Sequence, residues 1–165
     1  MKVLVAISDR YFADALARFA EAHNWPEKAE FKLITVVSPL ESQPGSGDVA
    51  KRAFFDQEQV HADKLLSRFK SRLLKTRPDL LITYEVPTGS AGKEILSCAK
   101  SWPASMILMG THGRQGLERA FLGSVSFFVA SHAPCSFTLV RISDVEGLDL
   151  DLEEDDIPEE MRTFA

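Results

Sequence analysis

The sequence predicts an α/β fold: a five-stranded parallel sheet in a single domain, with helices on both faces. Three observations predict it. Five short apolar runs are rich in β-branched residues, four intervening segments repeat apolar residues at helical spacing, and each connection is long enough for a strand-helix-strand crossover. The chain has 165 residues, the length of one ordinary domain. A chain of this size buries about 70% of the surface it exposes when unfolded, so its core needs neither disulfides nor metal.

The first strand is the run Val3-Leu4-Val5-Ala6-Ile7. Phe12, Ala15, Leu16, Phe19, Ala20 and His23 then mark the first helix, which ends at Trp25-Pro26, and Phe31 to Val37 gives the second strand, stopped by Ser38-Pro39. Leu40 to Asp48 contains Pro44-Gly45-Ser46-Gly47 and reads as a mobile loop. A long helix is expected from about Val49 to Lys75, with Ala62, Leu65, Leu66, Phe69 and Leu73 on its buried face and Lys64, Arg68, Lys70 and Arg72 facing water. Leu80 to Val86 alternates apolar and exposed residues as an edge strand does, and Pro87-Thr88-Gly89-Ser90 breaks it. Ala91, Ile95, Cys98, Ala99 and Trp102 share one face of the third helix. Met106-Ile107-Leu108-Met109 is a wholly apolar run expected at the sheet centre. Val125, Phe128, Val129 and His132 mark a short fourth helix, and Phe137 to Arg141 a fifth strand with edge-like alternation. The same spacing makes His132 and His23 partly buried helix residues, and leaves His61 and Asp63 solvated.

Composition narrows the partners. Residues 144–165 hold ten acids against one arginine, so the formal net charge of −5 conceals a body with 18 basic and 14 acidic residues, a net of +4. We therefore divide the chain into a folded unit, 1–143, and an acidic C-terminal tail, 144–165, which has no amphipathic period. The mildly basic body is compatible with an anionic ligand. No basic stripe interleaved with aromatics points to nucleic acid, and no apolar run approaches the roughly 20 residues of a membrane span. Together with the lack of a leader-like N-terminus, this leads to the expectation of a cytoplasmic protein without membrane or nucleic-acid partners. Cys98 and Cys135 lie far apart with no Cys-x-x-Cys pair, so they read as buried free thiols, and no metal site is expected.

Ligands of open parallel sheets bind beyond the carboxyl ends of the strands, where the strand order reverses. The most informative loop there is Met109-Gly110-Thr111-His112-Gly113, followed after nine residues by Gly123-Ser124-Val125-Ser126 at a helix start. Glycines permit close backbone approach to a ligand, and a helix N-terminus offers free N–H groups and the positive dipole end to phosphate oxygens. The hydroxyls of Ser124 and Ser126 add donors. The plainer alternative is that Gly110 and Gly113 make a tight strand exit while Ser124 caps the helix. His112 is a phosphate contact in preference to a proton-transfer group, since no carboxylate near in sequence orients it. Arg114 and Arg119 are solvated loop charges by default, with a γ-phosphate contact as the other reading. Gly89 to Glu94 imitates a phosphate-binding loop, but Pro87 stands where the first glycine belongs and no Ser or Thr follows Lys93, so it reads as a helix start.

The pattern Gly110-x2-Gly113-x9-Gly123-Ser124 resembles the nucleotide-binding signature of the universal stress protein family, and the element order from Lys2 to Arg141 resembles that family throughout. The resemblance implies a doubly wound sheet in strand order 3-2-1-4-5, ATP held between the loops after strands one and four, and a homodimer through the fifth strands. It also implies site residues: Ala6, Ile7 and Ser8 around the nucleoside, Val36 against adenine, Met109, Gly110, His112 and Gly113 at the ribose and phosphates, and Gly123, Ser124, Val125 and Ser126 completing the phosphate cradle. The family usually carries Asp at the position of Ser8, whereas here the acid, Asp9, comes one residue later. Asp9 substitutes through a local bulge, or Ser8 makes the hydrogen bond, or Asp9 caps the helix that begins near Tyr11.

These readings lead to an ATP-binding universal stress protein acting as a nucleotide-responsive regulatory dimer, with at most slow hydrolysis. No positioned base, nucleophile and metal-carboxylate set is visible, and any Mg²⁺ would arrive with the triphosphate. The alternatives are an interaction module of the same fold that binds no nucleotide but recruits a protein partner, and an adenine-nucleotide hydrolase.

Overall fold

The structure, a computed structural model, describes residues 1–39, 48–112 and 123–142. Its elements follow in the order β1 (Lys2–Ala6), α1 (Arg10–Ala22), β2 (Glu30–Ile34), α2 (Asp48–Thr76), β3 (Leu81–Glu85), α3 (Ala91–Ser101), β4 (Met106–His112), α4 (Ser124–His132) and β5 (Ser136–Ile142). All pairings are parallel, and the strand order is β3-β2-β1-β4-β5. Residues 40–47 of the expected mobile loop, Gly113, Arg114, Arg119 and the acidic segment 144–165 lie outside the described residues.

Alternation along the central strands builds two cores. Val3, Val5 and Ile7 join Phe12, Leu16, Phe31, Leu33, Leu66, Phe69, Leu73 and Leu108 on the face covered by α1 and α2. Leu4 and Ala6 join Ile34, Ile95, Leu96, Cys98, Ile107, Met109 and Val129 on the face covered by α3 and α4. Continuous apolar runs are what a strand buried on both faces requires. At the β3 edge the alternation is one-sided: Ile82 is buried while Leu81 is 60% exposed. Burial, reinforced by Glu85, pushes the Cys98 thiol up to about 12, so it remains a neutral core group. Cys135 is half-buried, and its thiol is also pushed up by burial.

Helix α1 begins where Asp9, the N-cap, accepts the Phe12 N–H at 3.0 Å through Oδ1. It ends at His23, whose N–H bonds the Phe19 carbonyl. The buried Trp25 folds back there, and its indole N–H donates to the Ala20 carbonyl at 2.7 Å, satisfying a terminal acceptor. His23 is exposed rather than partly buried, because it stands at the cap and stacks its ring on Phe19 from outside. His132 is exposed as well; at the last residue of α4 its Nδ1 reaches the Phe128 carbonyl at 2.8 Å.

Every strand differs from the sequence expectation by a residue or more, and three carboxyl ends bear on the site. β2 stops at Ile34 instead of Val37, and beyond it pairing continues irregularly, through Val37 N–H to Pro87 O and Gly89 N–H to Val37 O. β1 stops at Ala6, although Ile7 N–H still donates to Ile34 O. β4 runs on through Gly110 to His112, because β5 pairs with it residue for residue as far as His112↔Ile142. Gly110 is therefore a residue within a strand and not a strand exit.

Arg72 is half-buried and paired rather than simply solvated. Its guanidinium grips Glu21 with two hydrogen bonds, of 2.8 and 2.9 Å, and also contacts Asp14, which is buried and paired in addition with Arg18 at 2.8 Å. This network locks α2 onto α1. Arg72→Met is expected to cost about 1–2 kcal/mol in chemical denaturation, below the 3–5 kcal/mol of a fully buried pair because the arginine is partly solvated.

Candidate functional site

The sheet reverses its order between β1 and β4, and the crevice beyond their carboxyl ends is the expected ligand position. Ala6 pairs with Met109 on one side and with Ile34 on the other, so Ile7 and Ser8, Gly110 and Thr111, and Thr35 and Val36 continue beyond one row. Ala6, Ile7 and Met109 bury their side chains in the two cores and therefore present backbone at this edge. Val36 is half-buried and packs against the core under α3 and α4.

Buried Thr35, which sequence reasoning missed, holds the exit of β1. Its hydroxyl donates to the Ile7 carbonyl at 2.8 Å, and Ile7 N–H donates to Ile34 O. Both backbone groups of Ile7 are thus engaged. Ser8 is exposed, and its hydroxyl donates to Asp9 Oδ2 at 3.1 Å while Asp9 Oδ1 caps α1. Of the readings left open for Asp9, helix capping is the role the geometry displays.

The second wall is the start of α4. Gly123 is its N-cap, with φ −57° and ψ 154°, and no side chain among the described residues makes a capping hydrogen bond there. A Cβ built on Gly123 meets nothing within 4 Å among the described residues. Neither backbone conformation nor crowding among the described residues explains the glycine. Ser124 is the first helical residue and is exposed, so it is not the cap. Ser126 is buried and turned inward, its hydroxyl 3.5 Å from the Gly110 carbonyl. Val125 is half-buried against the core. The first turn of α4 carries no acid, leaving its positive dipole end uncompensated by its own residues.

Gly110 has a different reason to be glycine. A Cβ there would collide with the ring of Phe12, so α1 packs directly on the β4 backbone. His112 closes β4. The imitation of a phosphate loop at Gly89 to Glu94 is the start of α3: Gly89 adopts φ +155°, and a Cβ on Gly92 would lie 2.5 Å from Phe128 of α4. Among the described residues, no three His, Cys, Asp or Glu side chains come together in a metal-binding group.

Comparison with known proteins follows this geometry. Residues 1–141 match the Universal stress protein family. The chain belongs to that family. This universal stress protein is 34% identical over 145 residues to universal stress protein A homolog 2 of Coxiella burnetii, covering 86% of this chain and 94% of the relative. Its fold matches that of universal stress protein UspA from Lactobacillus plantarum, with a TM-score of 0.66 at 24% identity over 86% of this chain and 97% of the other. It also matches a universal stress protein family protein from Arabidopsis thaliana solved with AMP bound, with a TM-score of 0.60 at 16% identity over 87% and 93% of the two chains. No helix among the described residues is long and apolar enough to cross a membrane.

Proposed function

We propose that this universal stress protein binds ATP in the crevice between β1 and β4 and acts as a cytoplasmic, nucleotide-responsive regulatory dimer with at most slow hydrolysis. The observation that carries the reading is Gly123: an N-cap glycine that no described residue crowds, at a helix start that no side chain among the described residues caps. The N–H groups of Ser124, Val125 and Ser126 begin α4 there, and their partners in this reading are phosphate oxygens. The nucleoside lies toward Ala6, Ile7, Ser8 and Val36, where backbone forms the wall. Gly113 and His112 complete the phosphate side, and Mg²⁺ enters with the triphosphate. The AMP bound by the Arabidopsis protein of the same fold supports an adenine nucleotide as the ligand. Dimerisation uses the open side of β5, the end strand of the sheet.

A second reading is favoured by one observation. Asp9 is committed to capping α1 and to the Ser8 hydroxyl, so no free carboxylate stands at the end of β1 to hold a ribose. In that reading the same fold is an interaction module for a protein partner. Denaturing gently purified protein and identifying any released nucleotide by chromatography separates the two. Stoichiometric adenine nucleotide is the expected result, and its absence from protein that also fails to take up added ATP favours the interaction module.

A further inference from the structure

The first turn of α1 contains a cation with no hydrogen-bond partner among the described residues. All three guanidinium nitrogens of Arg10 are buried, and none of them finds a hydrogen-bond acceptor among the described residues. Asp9 next to it is already used by the Phe12 N–H and the Ser8 hydroxyl. The Tyr11 ring lies 5.3 Å from the guanidinium carbon and offers its π face, which attracts the cation but leaves its N–H donors unmet. A guanidinium with five donors is costly to remove from water unless an anion accepts them. The helix turn that carries Arg10 lies at the carboxyl edge of the sheet. Two residues on, the Phe12 ring packs against Gly110, and the carbonyl of Gly110 receives the Ser126 hydroxyl from the first turn of α4. The starts of α1 and α4 thus converge on one residue at the carboxyl edge of the sheet.

We propose that Arg10 is a phosphate-binding residue that completes the α4 cradle from the α1 side and makes the site select phosphorylated nucleosides over the bare nucleoside. The proposal rests on the nucleotide reading above. The planar guanidinium donates to two phosphoryl oxygens at once, while the α4 N–H groups engage others along the same chain. Phosphate oxygens then supply the acceptors that Arg10 lacks among the described residues.

The test compares the wild type with Arg10→Met, which keeps an apolar stem of similar length and removes the charge. ATP, adenosine and inorganic pyrophosphate are titrated into each, and thermal unfolding is followed without ligand. ATP affinity is expected to fall about ten- to a hundredfold, as loss of a charge-assisted hydrogen-bond pair predicts. Adenosine affinity is expected to stay unchanged, and the ligand-free melting temperature to stay the same or rise, since a buried unpaired charge is removed. Arg10→Lys should recover part of the ATP affinity. Equal ATP affinity in the wild type and Arg10→Met overturns the role of Arg10 and leaves the nucleotide reading standing. A parallel loss of adenosine, or a lower melting temperature without ligand, also overturns it, because Arg10 would then hold the fold itself. A wild type that binds none of the three ligands overturns both readings, whereas a wild type that binds pyrophosphate through Arg10 but not ATP retains the anion site and rejects the nucleotide.

Discussion

Gly123→Val is expected to lower ATP affinity at least about a hundredfold, placing branched carbons where phosphate oxygens approach the α4 backbone. The fold should tolerate the change. A Cβ at this position meets nothing within 4 Å among the described residues, and φ −57° is accessible to every residue. Valine is a poorer N-cap than glycine, which costs no more than about 1 kcal/mol, or a melting temperature lower by at most about 4 °C. Calorimetric titration and thermal unfolding of the same preparation check both halves. Unchanged ATP affinity in a folded variant would place the cradle elsewhere.

Gly110→Ala is expected to do the reverse, damaging the fold first. The new methyl group collides with the Phe12 ring on a strand flanked by β1 and β5, where neither neighbour can move away cheaply. We expect a loss of about 2–3 kcal/mol, seen as a melting temperature lower by roughly 5–10 °C. The mechanism is separable from ligand binding by a double-mutant cycle. Phe12→Leu shortens the obstructing side chain, so Gly110→Ala should cost less in that background, with coupling on the order of 1 kcal/mol. Full additivity would show that the glycine serves the ligand and not the packing of α1. The two glycines of one motif are thereby assigned opposite tasks: Gly110 admits an aromatic ring, Gly123 leaves space.

Local pattern made the sheet legible. Leu80 to Val86 reads as an edge strand from its alternation alone, and exposed Leu81 beside buried Ile82 has that arrangement. Met106 to Met109 reads as central from its unbroken apolar run, and it lies between β1 and β5. The extension of β4 to His112 was not legible, because it depends on pairing with Val140, Arg141 and Ile142, residues that carry no local mark of it. Arg72 was misplaced for a similar reason. Helical spacing puts it among solvated cations, while its acids, Asp14 and Glu21, come from a helix more than fifty residues earlier. At the candidate site the glycine pattern was visible, but its division of labour was not, since spacing carries no information about Phe12. Thr35 and Arg10 escaped notice because a threonine after a strand and an arginine at a helix start are ordinary residues in sequence. Their significance is positional, a hydroxyl aimed at the Ile7 carbonyl and a guanidinium buried without an acceptor among the described residues.

The central claim is that the crevice between β1 and β4 binds ATP. Titration of ATP with Mg²⁺ into nucleotide-free wild-type protein in a calorimeter tests it most directly. The account predicts saturable heat with one site per chain and micromolar affinity, about −8 kcal/mol. No detectable binding of ATP, ADP, AMP or a cyclic adenine nucleotide by folded protein would contradict it.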